Sequence, residues 1–70
     1  MTIINQRTSD REAWQGTFYD LLDNSIRYTV IKSSINSAPT EWMAVAYEPY
    51  QNITSTELGQ SLIAYCQANQ

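Results

Sequence analysis

The chain has 70 residues, 43% hydrophobic and 16% charged, with a formal net charge of −3 and no histidine. Such a length makes one small domain whose folding removes about 60–65% of the surface an unfolded chain exposes, which excludes a Rossmann fold, a barrel or a two-domain enzyme. One cysteine excludes an internal disulfide or a cysteine-based zinc site, and four scattered basic residues exclude a broad nucleic-acid footprint.

Residues 1–8 read as a flexible N-terminal segment of that single domain, since Met1–Gln6 offers only Ile3 and Ile4 as large apolar side chains. This start lacks the basic residues and long apolar run of a signal peptide, so the expected location is cytoplasmic. The spacing then predicts a helix over Asp10–Asp23. Ser9 with Glu12 resembles a capping box, and Ala13, Trp14, Phe18, Leu21 and Leu22 follow at helical intervals. Glu12, Gly16, Tyr19, Asp20 and Asp23 fall on the opposite side. The alternative is a short helix, a strand over Thr17–Leu22 and a turn at Asp23-Asn24. It would set Asp20 on one face with Phe18 and Leu22, so the helix is preferred.

Ile26–Ser33 reads as a strand, rich in β-branched and aromatic residues. Ser33–Thr40, with Pro39, is the most loop-like stretch. Trp42–Tyr47 reads as the partner strand. Met43, Val45 and Tyr47 make one face and Trp42, Ala44 and Ala46 the other, so both faces are apolar and cover on both sides is expected. Pro49 ends this run. A last helix is expected over Ser55–Ala68, opened by Thr54 and Glu57 as a second capping box, with Ile53 and Leu58 as a hydrophobic staple. Its buried stripe is Leu58, Leu62, Ile63, Tyr65 and Cys66.

The expected fold is therefore α+β, in α-β-β-α order, a two-stranded antiparallel sheet packed against two amphipathic helices. A two-stranded ribbon is marginal in water, and this arrangement leaves one face and two edges uncovered. Ordering 70 residues costs on the order of 100 kcal/mol, so self-association as a homodimer is the expected remedy.

Few constellations carry chemistry. Carboxylates are the only metal ligands in number, and Glu12, Asp20 and Asp23 do not form a cation-binding loop. Cys66 lies in an apolar stripe with no basic residue after Lys32, an inert setting for a thiol. The serines have no histidine base, and two glycines cannot form a phosphate cradle. Arg27, Tyr28 and Lys32 are too isolated to bind nucleic acid. No apolar run approaches a membrane span. The expectation is a non-catalytic regulatory module without a cofactor that binds another protein. Its candidate anchors are Tyr19, Trp42, Tyr47 and Tyr50, since Trp and Tyr dominate interface hot spots. The alternative is an inhibitor encoded by a phage or mobile element that blocks a host defence or regulatory complex.

Two stretches resemble known families in spacing. Arg27-Tyr28-Thr29-Val30-Ile31, a loop and Pro39-Thr40-Glu41-Trp42 resemble the strand, loop and Pro-x-Gly-Trp pattern of the MbtH-like proteins, small partners of nonribosomal peptide synthetases. The match covers about a third of the chain and departs at Thr29–Lys32, where that family carries Ser-x-Trp-Pro. Trp14, Tyr19-Asp20, Trp42, Asn52-Ile53-Thr54 and Glu57 are similar to the first half of profilin, without the rest of that fold. Neither resemblance enters the expected fold or function.

Overall fold

Thr17, Phe18 and Tyr19 are strand formers, and in the folded chain this preference prevails over the helical spacing around them. The structure is a computed structural model that describes residues 1–35, 38–47 and 49–70. Its elements are β1 (Thr2–Arg11), β2 (Trp14–Asp23), β3 (Ile26–Ile35), β4 (Glu41–Ala46), β5 (Gln51–Asn52) and α1 (Glu57–Ala68). The five strands form one antiparallel sheet in chain order, and α1 lies on one face against β3 and β4.

This corrects the α-β-β-α expectation. The sheet has five strands rather than two, and Asp10–Asp23 is the end of one strand, a turn and a second strand. β2 is apolar on both faces: Tyr19 and Leu21 are buried beneath the helix, while Trp14, Phe18 and Leu22 alternate with them on the other side. A strand of that kind lacks a clear two-residue period and imitates helical spacing. The charge objection to a strand is met by pairing. Asp20 does share a face with Phe18, but its carboxylate accepts hydrogen bonds from Arg7 at 3.0 Å and Thr29 at 3.0 Å.

Two short turns complete the meander. Glu12 and Ala13 join β1 to β2. Asn24 and Ser25 join β2 to β3 at φ 52° and 64°, the left-handed pair that a type I′ hairpin needs. Most of residues 1–8 belong to β1. The expected strands at Ile26–Ser33 and Trp42–Tyr47 correspond to β3 and β4. Asn36 and Ser37 of the expected loop lie outside the described residues; Ser33–Ile35 belong to β3.

The core sits between sheet and helix. Tyr19, Val30 and Ala44 form one cross-strand row, and Leu21, Tyr28 and Ala46 the next. Leu62, Ile63 and Cys66 of α1 pack onto these rows. Tyr19 also stacks on Trp42, rings 6.2 Å apart and 15° from parallel. The helix starts two residues later than the capping box suggests. Its N-cap is Thr56, whose Oγ1 accepts from the Gly59 N–H at 3.0 Å. Thr54 serves the sheet instead: its Oγ1 accepts from the Ala44 N–H at 3.0 Å, and its own N–H donates to Asn52 Oδ1 at 3.0 Å. Ile53 is buried and Leu58 exposed, and with Thr56 as the N-cap neither holds the staple position expected of it.

Candidate functional site

The β2–β3 hairpin turn and the exit of β4 meet at one end of the sheet. There Tyr47 and Tyr50 pack edge to face with ring centroids 6.0 Å apart, at 39% and 65% exposure. Tyr47 lines a recess of about 470 Å³ together with Ser25, Ile26 and Arg27. Ile26 is 49% exposed despite being a large apolar side chain. Backbone geometry puts it there: the left-handed turn ends at Ser25, and Ile26 is the first residue of β3, paired with Asp23 beyond the reach of the buried rows. The result is a patch of two aromatic rings, one aliphatic side chain and one guanidinium around a concavity.

A second surface is the sheet face opposite α1. Its central row runs Arg7, Phe18, Ile31, Met43 from β1 to β4. Trp14 lies over Gly16 on the same face and packs against Phe18 at 6.0 Å. The Arg7 guanidinium sits 5.0 Å from the Phe18 ring centroid and pairs with Asp20 at 3.0 Å. Burial pushes the Asp20 carboxyl up. The hydrogen bonds from Arg7, Thr29 and Asn5 and the Arg7 charge together outweigh it and hold the group below the usual aspartate value. This pairing lets a strand carry a charge among apolar neighbours.

A third feature is a polar groove of about 440 Å³ beyond the helix C-terminus, lined by Thr8, Asp10, Gln15, Thr17, Lys32 and Ser34 among others. Lys32 is already engaged. Its Nζ donates to Gln70 Oε1 at 3.0 Å and lies 5.7 Å from the Trp42 ring. Cys66 is fully buried, and burial pushes its thiol up to about 11. Burial also raises the Tyr19 hydroxyl, aided by the nearby Cys66. Among the described residues no three potential metal ligands cluster. Among the same residues no helix is long and apolar enough to cross a membrane.

Of the four expected anchors, Tyr47 and Tyr50 come together at the surface, while Tyr19 and Trp42 come together in and beside the core. Tyr19 is 3% exposed, because strand parity turns it toward α1. Trp42 is half-buried between Tyr19 and Lys32. The sequence marks Ile26 only as a strand residue, and Arg27 only as a base too isolated to bind nucleic acid; neither is among the expected anchors. The signal for them was the Asn24-Ser25 turn, which ends the buried pattern one residue before Ile26.

The chain matches no family model, no curated protein and no solved structure. The spacings it shares with the MbtH-like proteins and profilin therefore stand without a family match. Function has to be read from the surfaces themselves.

Proposed function

We propose that this chain is a non-catalytic module that binds another protein through the corner formed by Tyr47, Tyr50, Ile26 and Arg27. The observation that carries this reading is the pair of exposed tyrosines, edge to face at 6.0 Å, beside a recess of about 470 Å³. Tyrosine brings a large, rigid contact area at low entropy cost, and a neighbouring concavity can accept a partner side chain. Arg27 adds a donor fork suited to a carboxylate at the rim. A catalytic role has less support: the thiol is buried and protonated at neutral pH, and the groove beside Lys32 already holds that amine in a hydrogen bond. A single unpaired thiol suits a reducing compartment, and the cytoplasm is the location this reading assigns.

The test is capture of partners from host lysate with the tagged chain, repeated with Tyr50→Ala and Leu58→Ala. Leu58 is also exposed, at 39%, but lies on α1 and does not line the recess. One stoichiometric partner should be retained by wild type and Leu58→Ala and lost with Tyr50→Ala. The Tyr50→Ala protein should keep its circular dichroism and unfolding midpoint, because that ring buries little surface. Undiminished capture by Tyr50→Ala would remove the corner as the binding site.

A further inference from the structure

We propose that a second copy of this chain covers the open sheet face, the two sheets packing face to face with α1 outermost on each side. This goes beyond the tyrosine corner: the rows involved do not include Tyr47 or Tyr50.

The face has the layout of an interface. Phe18, Ile31 and Met43, each half-buried, form its central row with Trp14 beside them, while Val45 on the same face is already buried within the chain. Around this centre lie Asn5, Asp20, Ser33, Glu41 and Asn52, and the exposed Leu22 and Ile35 carry the apolar surface on toward the strand ends. Apolar surface bordered by polar groups is how proteins build surfaces that meet other proteins. β4 makes the same point from its sequence. Met43 on this side is more apolar than Ala44 and Ala46 on the other and is only half-buried, while the two alanines meet the helix.

Area agrees with a second copy. The chain exposes 4814 Å², where a compact monomer of its 8.0 kDa exposes about 4,450 Å². Three ten-residue strands and the shorter β4 and β5 make a face of roughly 600 Å² at ordinary strand spacing and rise. Two such faces reach the roughly 1,200 Å² at which stable interfaces begin, before side-chain relief is added.

Charge agrees as well. Arg11 projects from β1 on this face and Glu41 from β4, whereas Arg7 is already paired with Asp20 at 3.0 Å. A two-fold axis running along the strands between the sheets lays β1 of one copy toward β4 of the other. Basic edge then meets acidic edge twice, as a self-complementary interface requires. The sheet edges suit a second copy less well. β1 has a register shift between Ile3 and Asn5 and carries Arg7, Asp10 and Arg11, which blunt strand addition. At the other end β5 has two residues, and Thr54 already occupies the Ala44 N–H.

Light scattering of the full chain across concentration tests this. The expected mass is twice the 8.0 kDa chain mass. Ile31→Lys, in the middle of the central row, should give a folded monomer by circular dichroism. Should that variant unfold, Glu41→Arg serves instead, since Glu41 is exposed. It should raise the dimer dissociation constant roughly five- to tenfold, because two exposed pairs are lost. Adding Arg11→Glu should restore it. A wild-type monomer at the highest concentration overturns the proposal, and so does a dimer that survives Ile31→Lys in folded protein. A monomer that loses a captured partner on Ile31→Lys also overturns it, and gives the face to a different protein. Tyr50→Ala must leave the dimer intact, so loss of capture in that variant bears on the tyrosine corner alone.

Discussion

A Cβ at Gly59 would collide with the carbonyl oxygen of Ile53 and lie 2.6 Å from its carbonyl carbon. That carbonyl cannot retreat freely: it accepts from the Thr56 N–H at 3.0 Å and from the Thr56 hydroxyl at 2.7 Å. Helix propensity alone favours Ala over Gly by about 1 kcal/mol. The collision reverses the sign, and Gly59→Ala should destabilise the fold by about 1–3 kcal/mol. Chemical denaturation measures it; a raised midpoint would mean that α1 is not seated on this carbonyl. Gly16 is a milder case, because the atoms in the way belong to the half-buried Trp14 indole, a side chain that can swing aside. Tyr50 follows Pro49 in the chain, and its ring is exposed. Helical spacing puts Tyr19 on a polar face with Glu12, Asp20 and Asp23. In a strand, the same residue alternates with Phe18 and Asp20 and points into the core. A side chain's environment is legible from sequence only once the period of its element is right.

At the scale of elements, β3 and α1 were legible because each has one dominant period, and β4, apolar on both faces, because it is a short apolar run set off by Pro39 and Pro49. Tyr28, Val30 and the β-branched residues around them alternate, and Leu62, Ile63 and Cys66 repeat at helical intervals. β1 and β2 were not. β1 has only Ile3 and Ile4 as large apolar residues, so its order comes from pairing along β2, a long-range ladder with little local signature. β2 hides its period by being apolar on both faces, and the Ser9–Glu12 pair imitates a helix cap where the chain in fact turns. The open-face row of Phe18, Ile31 and Met43 was equally hidden, since it exists only in the register of three strands. The hairpin between β2 and β3 offers a direct check. Ser25 holds φ at 64°, a conformation in which an L side chain is strained and glycine is not. Ser25→Gly converts the turn to Asn-Gly and should stabilise the protein by about 0.5–1 kcal/mol, read as a higher unfolding midpoint with an unchanged denaturant slope. A lowered midpoint would show that the serine hydroxyl does more for the turn than the strain takes away.

For the whole molecule, Cys66 is the natural reporter. Its side chain is fully buried between α1 and the sheet, and burial pushes the thiol up to about 11. At pH 8 the native thiol is therefore protonated and shielded, while in an unfolded chain it titrates near 8.5 and reacts freely. Because the helix covers it, reaction requires α1 to leave the sheet, and that step exposes the single core of this small domain. Labelling by a thiol reagent should follow global opening, and added denaturant should accelerate it in proportion to the population unfolded. Self-association couples to the same equilibrium by mass action: if the folded dimer is the stable species, dilution raises the open fraction. Labelling of the wild type should then speed up as protein concentration falls below the dimer dissociation constant. A folded Ile31→Lys monomer should label faster than wild type and show no such dependence. A rate insensitive to both denaturant and dilution would mean that the thiol is reached by a local movement of the helix end, and the core would have to be regarded as two separately opening parts.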